Sequence, residues 1–143
     1  MKSIDFEKLL FSQKKVVKLL ASNQQLEVCL DAICLEIESL IGKPGITASI
    51  LKVYDNKLHF AAGPNINSEY SEAIEGVVVA DNVGSCGTAA FNAQPFYAED
   101  ISTSPQWADF SELAKKYNFC RVLVYAYLIF NQSCYWDLWC IFR

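Results

Sequence analysis

A cysteine among small and hydroxyl-bearing residues is the feature of this chain that most suggests chemistry. The run GSCGTAA at residues 84–90 places two glycines beside one thiol and two hydroxyls. Glycine lets a backbone approach a small molecule closely. A helix that starts at Ser85 or Cys86 would direct free N–H groups at an anion, and the same field would activate the Cys86 thiol. We therefore predict that Ser85, Cys86 and Thr88 bind a ligand.

The same run also has a purely structural interpretation. Gly84 and Gly87 would form a tight turn, and Cys86 would be a small core residue. Thr88 would cap the helix that follows. Both interpretations remain open at the level of the sequence.

Two further candidate ligand-binding residues follow the run. Asp100 lies at the end of a short predicted strand, where it either contacts a ligand or caps the next turn. Trp107 either lines a pocket or packs in the core beside Phe110, which shares its predicted helix face. No residue is assigned a catalytic role. No metal site is predicted, because His59 is the only histidine and no two cysteines have CxxC spacing.

Apolar periodicity predicts the elements that position these residues. Leucine and isoleucine recur at 4-3-4-3 spacing over residues 26–40, a helix that Gly42 ends. Ser22 and Gln25 have the spacing of a capping box before it. Asp55-Asn56 suits a two-residue hairpin turn, and His59 is expected to be exposed. The pattern predicts helices over 5–20, 26–40 and 68–74, a loop that turns into a helix within 84–94, and a helix from 105. It predicts strands over 47–54, 57–62, 77–79 and 95–98.

The expected fold class is α+β, with a mainly antiparallel sheet flanked by helices. The N-terminal helices are predicted to pack on one face of that sheet, and their apolar stripes could also form the seam of a homodimer. We divide the chain into an N-terminal helix at 1–21, with a role in dimerisation, and a domain at 22–143. Within that domain, 118–143 form a tail of unusual composition.

Composition excludes several functional classes. The chain has 143 residues, which suit one domain, and 52% of them are apolar, enough for a core. The net charge of −4, without a basic block, argues against nucleic acid or an anionic membrane as a partner. Residues 1–7 contain acids where a secretion signal needs an apolar run, so we expect a cytoplasmic protein with six reduced, buried cysteines.

Several segments in order resemble the GAF domains, most closely a bacterial sensory subset. They are GSCGTAA at 84–90, EDI at 99–101 and PQW at 105–107, with similar residues upstream from about residue 22. The resemblance implies a regulatory module that binds an unknown small molecule and dimerises through helices. It also implies an output domain such as a diguanylate cyclase or histidine kinase, which this chain would lack as a truncated fragment.

The resemblance leaves two alternatives. Free methionine-(R)-sulfoxide reductases are GAF folds with a similar GxCGTA loop, but their working cysteine lies in a later loop, and residues 100–105 here contain no cysteine. We therefore predict that the chain is not an enzyme. The second alternative is a dimerisation scaffold that binds no ligand. The cofactor, if any, is unknown.

The family resemblance ends near Phe119. Residues 120–143 hold three of the six cysteines and two of the three tryptophans. If the gene is read one base later, the codons of Trp136-Asp137 and of Trp139-Cys140 must each give a glycine. The codons around them then permit, by degeneracy, a last strand that resembles that of a GAF domain. One hypothesis is a one-base frameshift near residues 119–121 that altered the last two strands. The alternative is a divergent but genuine tail, and the gene sequence distinguishes the two.

Overall fold

The computed structural model describes the backbone of residues 5–129 and 135–142, and the side chains of residues 5–124. The sequence-based interpretations that involve residues 1–4, 130–134 and 143 lie outside these described residues. The elements follow one another as α1 Phe6–Leu20, α2 Leu26–Ile41, β1 Thr47–Tyr54, β2 Lys57–Ala62, α3 Ser68–Ile74, α4 Gly84–Asn92, β3 Phe96–Ala98, a 3-10 helix Pro105–Phe110, α5 Ser111–Lys116, β4 Val122–Ile129 and β5 Tyr135–Phe142.

The five strands form one antiparallel sheet in the order β2-β1-β5-β4-β3. The hairpin between β1 and β2 turns at Asp55 and Asn56, whose φ angles are 52° and 57°. Those positive values suit Asn and Asp, as the sequence predicted. The predicted α+β class with an antiparallel sheet flanked by helices is therefore confirmed.

The tail supplies two of these strands, and β5 lies between β1 and β4. Its register runs from Thr47 opposite Phe142 to Val53 opposite Trp136. On its other side, β5 pairs with β4 along the whole of both strands. The unusual tail therefore occupies central positions in the sheet.

The two faces of the sheet carry separate apolar clusters. We name the face covered by α3, α4, the 3-10 helix and α5 the cavity face. Its buried cluster is the larger one and includes Leu51, Val53, Leu58, Tyr70, Ile74, Val79, Cys86, Ala89, Ala90, Ala98, Ile101, Trp107, Ala114, Val122 and Val124. We name the opposite face, which α2 covers, the helix face. Its buried cluster consists of Cys34, Ala48, Ile50 and Ala62.

The N-terminal helices pack in two layers on the helix face. Leu30, Ile33 and Ile37 of α2 contact the buried cluster, which confirms the predicted packing of that helix on the sheet. Gly42 ends α2 with a φ of 60°, in the left-handed region where glycine carries no penalty. Helix α1 packs on α2 rather than on the sheet.

Four local predictions differ from the structure. Ser22 makes no capping box, because its hydroxyl donates to the Leu19 carbonyl and Gln25 occupies the N-cap position. Residues 77–79 form only one isolated bridge, between Val78 and Lys57. The His59 side chain is 16% exposed rather than open to solvent. Of the four cysteines with described side chains, Cys120 is exposed and the other three are buried, all as free thiols.

Candidate functional site

A cavity of about 30 Å³ lies on the cavity face, between the sheet edge and the starts of α4 and the 3-10 helix. This volume exceeds the roughly 10–15 Å³ that one water molecule needs, and it is small for a ligand site. Its walls come from five elements and the loops between them. The described lining residues are Leu58, Tyr70, Ile74, Val77, Val83, Gly84, Ser85, Cys86, Trp107, Phe110 and Leu113.

The start of α4 brings the backbone against this cavity. Val83 is the N-cap residue and Gly84, with a φ of 54°, begins the helix one residue earlier than the sequence predicted. Gly87 is needed for packing, because a Cβ there would lie 2.9 Å from the Val83 Cβ. The GSCGTAA run is therefore a close-packed helix start whose first three residues face the cavity.

Ser85 and Trp107 form the polar pair of the cavity wall. Both are buried, and the Trp107 indole N–H donates to the Ser85 hydroxyl oxygen at 2.7 Å. This bond satisfies the only polar atom of the tryptophan ring, so the ring can be buried at little cost. Trp107 also packs edge-on to Phe110, with ring centroids 6.3 Å apart. Both sequence interpretations of Trp107, pocket lining and core packing, apply at once.

Cys86 lines the cavity from α4 with 7% of its surface exposed. The thiol is therefore shielded from bulk solvent. Cys86 is a free thiol that forms no disulfide with another described cysteine, whereas a redox reaction there would need a resolving thiol.

Thr88 and Asp100 do not line the cavity. The Thr88 hydroxyl donates to the Gly84 carbonyl at 2.6 Å, so it bonds back along α4 and is not the helix cap that one interpretation expected. Asp100 is exposed and accepts from the Ser102 hydroxyl at 2.6 Å and the Ser102 N–H at 2.9 Å. These two bonds hold the pKa of the Asp100 carboxyl below its usual value. The turn-capping alternative for Asp100 therefore accounts for its contacts.

Sequence reasoning missed most of the cavity wall. Tyr70, Ile74 and Val77 come from α3 and the segment after it, and Leu58 comes from β2. These are apolar residues at ordinary core positions, and no local spacing distinguishes them from other core residues. Only the fold brings them opposite Ser85.

Two contacts of the Glu75 carboxylate fix the segment that carries Ile74 and Val77. The Glu75 carboxylate accepts from the Phe60 N–H at 2.8 Å, and its other oxygen lies 2.6 Å from His59 Nδ1. The Phe60 N–H, followed by the His59 contact, holds the pKa of Glu75 below its usual value. The His59 ring also stacks on Tyr54, with centroids 3.6 Å apart. Glu75 thus attaches the segment between Ile74 and Val77 to β2.

The described part of the chain has neither a metal-binding cluster nor a membrane-spanning helix. Residues 5–124 contain no group of three His, Cys, Asp or Glu side chains that could hold a metal ion. No helix among the described elements is both long and apolar enough to cross a membrane.

The sequence is similar to one curated sensor protein. It is 30% identical over 112 residues to the "Methyl sulfide methyltransferase-associated sensor" of Methanosarcina acetivorans. That match covers 77% of this chain and 11% of the relative, so the chain spans only a small part of that protein's length. No protein-family model matches the chain.

The structure is similar to solved GAF domains. The GAF domain of a phosphoenolpyruvate-protein phosphotransferase from Coxiella burnetii matches 97% of this chain and 79% of its own, with a TM-score of 0.71 and 14% identity. The free methionine-R-sulfoxide reductase of Neisseria meningitidis, solved with its substrate, matches 90% of this chain and 69% of its own, with a TM-score of 0.61 and 14% identity. This chain therefore has the fold of a GAF domain, as its own helices, its antiparallel sheet and these structural similarities show.

Proposed function

We propose that this chain is a regulatory domain that binds a small molecule in the cavity beside α4. The observation that carries the proposal is the cavity itself, whose wall combines the start of α4 with the buried Ser85–Trp107 pair. Ser85, Cys86 and Trp107 are the predicted binding residues that line it. The Thr88 hydroxyl is bonded to the Gly84 carbonyl within the same helix, and Asp100 accepts from Ser102 in the turn that follows β3. The likeness to a protein named as a sensor agrees with this role.

Binding in the cavity is tested by filling it. Val77 lines the cavity, whereas its neighbour Val78 is 52% exposed. We expect Val77→Phe to lose the compounds that wild type binds in a small-molecule screen by ligand-observed NMR. Val78→Phe adds the same ring at the surface and should keep them. If Val77→Phe binds the same compounds as wild type with the same affinities, the proposed site is wrong.

We propose further that the domain regulates rather than catalyses. The reductase likeness raises the alternative of an enzyme. Catalysis by Cys86 would need an accessible thiolate and a resolving thiol, but Cys86 is 7% exposed. NADPH-coupled reduction of free methionine sulfoxide should therefore show no turnover above background. Turnover that Cys86→Ser abolishes would establish the reductase instead.

The partner that we propose for α1 is a second copy of this chain. Five residues at 4-3-4-3 spacing form an exposed stripe along α1, and they are Phe6, Leu10, Gln13, Val17 and Leu20. Phe6 is 70% exposed and Val17 is 63% exposed. A different stripe, with Leu9, Ser12 and Val16, faces α2. Because apolar residues at this spacing form coiled-coil seams, the exposed stripe suits the same stripe of a second molecule.

The mass of the protein in solution tests this pairing. We expect the full chain to be a dimer by light scattering and a chain without residues 1–21 to be a monomer. Val17→Ser with Leu20→Ser should have the same effect without removing the helix. Phe91→Ser is the control, because Phe91 is 58% exposed on α4, away from α1. A wild-type monomer at high micromolar concentration would contradict the proposal.

Together these proposals describe a cytoplasmic GAF-type module of a signalling protein. It would pair through α1 and hold its ligand on the opposite face of the sheet. The output domain and the origin of the tail are questions for the gene. A GAF-like continuation in another reading frame would support the frameshift hypothesis, and its absence would support a divergent tail.

A further inference from the structure

The charge of the cavity wall restricts what the cavity can hold. None of the described lining residues carries a formal charge. Eight of the eleven are aliphatic or aromatic, counting Leu58, Tyr70, Ile74, Val77, Val83, Trp107, Phe110 and Leu113. An ion moved from water into such surroundings loses its hydration without gaining a counter-charge. The wall therefore disfavours anions and cations alike.

Three carboxylates on the cavity face have their partners outside the cavity. Glu75 is bound to Phe60 N–H and His59 on the outer edge of β2. Glu69 pairs with Lys116 and accepts from the Tyr117 hydroxyl on the surface between α3 and α5. Asp100 is bound to Ser102. None of these carboxylates is among the described lining residues, so none balances a cation inside.

Hydrogen bonding within the Ser85–Trp107 pair leaves one side-chain donor. The Trp107 indole N–H is already given to Ser85. The Ser85 hydroxyl receives that bond on its oxygen, and its own proton can still be donated. A ligand with one acceptor oxygen or nitrogen would receive that proton while the rest of its surface contacts carbon.

We propose that the cavity takes an uncharged, mainly apolar molecule of a few heavy atoms, with an acceptor that faces Ser85. This inference rests on the proposed function, because it names the ligand class of the same cavity. The volume of about 30 Å³ sets the small size. The helix start alone suggested an anionic ligand. The ligand proposed here is neutral, because the N–H groups at the helix start are only one part of a wall that is otherwise apolar.

Three compounds with the same number of heavy atoms test the charge rule. Acetone, acetate and isopropylammonium each have four heavy atoms in the same branched arrangement, and they are neutral, anionic and cationic. They are titrated into the full chain while methyl resonances are followed by NMR. Lining methyls of Leu58, Ile74 and Leu113 report the cavity, and those of Ala48 and Ile50, buried in the helix-face cluster, are the internal reference.

We expect acetone to shift the lining methyls with a dissociation constant in the millimolar range or weaker, because so few atoms limit affinity. The two ions should bind at least tenfold more weakly. Ser85→Ala should weaken acetone several-fold, whereas Ser49→Ala, at another buried serine, should leave it unchanged.

The outcomes separate this inference from the proposed function. If acetate or isopropylammonium shifts the lining methyls as strongly as acetone, the ligand class is wrong while the cavity remains a binding site. If no probe moves the lining methyls more than the reference methyls, the ligand class is also overturned. Failure of the proposed site is seen separately, in unchanged binding by Val77→Phe.

Discussion

The two faces of the sheet bury their residues in different ways. On the cavity face, short helices and loops cover a large cluster in which even the Trp107 side chain is only 3% exposed. On the helix face, α2 covers a small cluster, and α1 leaves apolar side chains such as Phe11 at 71% exposure. On the cavity face, the Trp107 indole N–H and the Ser85 hydroxyl are bonded to each other in the interior. The helix face has its apolar groups directed outward.

This difference separates two kinds of recognition. A concave apolar wall with one internal hydrogen bond suits a small molecule. An exposed apolar stripe on a helix suits another protein surface. The comparison can be tested by substitutions that should cost much on the cavity face and little on the helix face.

The largest effect is expected at the centre of the cavity face. Trp107→Ala removes a buried indole and leaves a void, which typically costs about 3–5 kcal/mol of the free energy of unfolding. Trp107→Phe keeps most of the ring but loses the bond to Ser85, so a smaller loss of about 1–2 kcal/mol is expected. Urea unfolding measures both. Equal losses for the two variants would show that the hydrogen bond, rather than packing, supports this face.

Two buried serines give the next comparison. Their replacement by alanine is expected to lower stability at one position and not at the other. Ser85→Ala leaves the Trp107 N–H buried without its acceptor, which should cost about 1–3 kcal/mol. The Ser49 hydroxyl is buried in β1 and has no hydrogen-bond partner among the described side chains. Ser49→Ala should therefore leave the stability unchanged or raise it by about 1 kcal/mol.

The same unfolding measurement decides this pair. Because both substitutions remove one hydroxyl from a buried site, the loss of volume is matched. If Ser49→Ala destabilises the chain as much as Ser85→Ala does, the hydrogen bond between Ser85 and Trp107 contributes nothing specific.

The sequence predicted one face of the molecule better than the other. Regular apolar spacing along α2 and the Asp55-Asn56 turn follow rules that act over a few residues, and the structure confirms both. The cavity depends on Val77, Leu113 and Ser85, which are far apart in the chain. No local rule connects them, so only the fold reveals their common wall.

Errors in the sequence reasoning have the same origin. Ser22 fits a capping box by spacing, but its hydroxyl is bonded to the end of α1 instead. The alternation of apolar and polar residues in β2 predicts that His59 is exposed. Glu75 and Tyr54, which belong to other parts of the chain, contact its ring and partly bury it. Local patterns predicted which elements form, and tertiary contacts decided what their side chains touch.

A smaller effect is expected where the cavity wall is attached to β2. Glu75→Gln keeps the size of the side chain but removes the charge that favours the contacts with Phe60 and His59, at a cost of about 1 kcal/mol. Glu72→Gln on the exposed side of α3 is the control and should cost nothing measurable. Urea unfolding at neutral pH compares the two variants. Equal stabilities of the two variants would mean that Glu75 does not hold the segment.

The Glu75 contact also makes a prediction about pH. The pKa of Glu75 is lowered in the folded state, so the unfolded state binds the proton more readily. The contribution of ionised Glu75 to the free energy of unfolding is therefore complete above pH 4.5, the usual pKa of a glutamate, and is lost as the pH falls below that value. Wild type should lose stability between about pH 5 and 3 more steeply than Glu75→Gln. Parallel pH curves for the two proteins would contradict this assignment.

The smallest effect on global stability is expected on the helix face. Glu36 of α2 accepts from the Ser12 hydroxyl at 2.8 Å and pairs with Lys15, both on α1. Lys15, followed by Ser12, holds the pKa of Glu36 below its usual value. Glu36→Gln keeps an acceptor for Ser12 but loses the ion pair, which is worth about 0.2–1 kcal/mol near a surface.

That loss should appear in α1 and not in the core. Because α1 packs on α2 and not on the sheet, weaker docking should raise amide hydrogen exchange along α1 by about two- to fivefold and leave urea unfolding of the sheet unchanged. Glu27→Gln, at an exposed position of the same helix, should change neither. A loss of global stability as large as that of Ser85→Ala would place α1 in the same cooperative unit as the cavity face. The two faces would then not be energetically distinct, and a ligand in the cavity could act on the proposed dimer seam directly through the core.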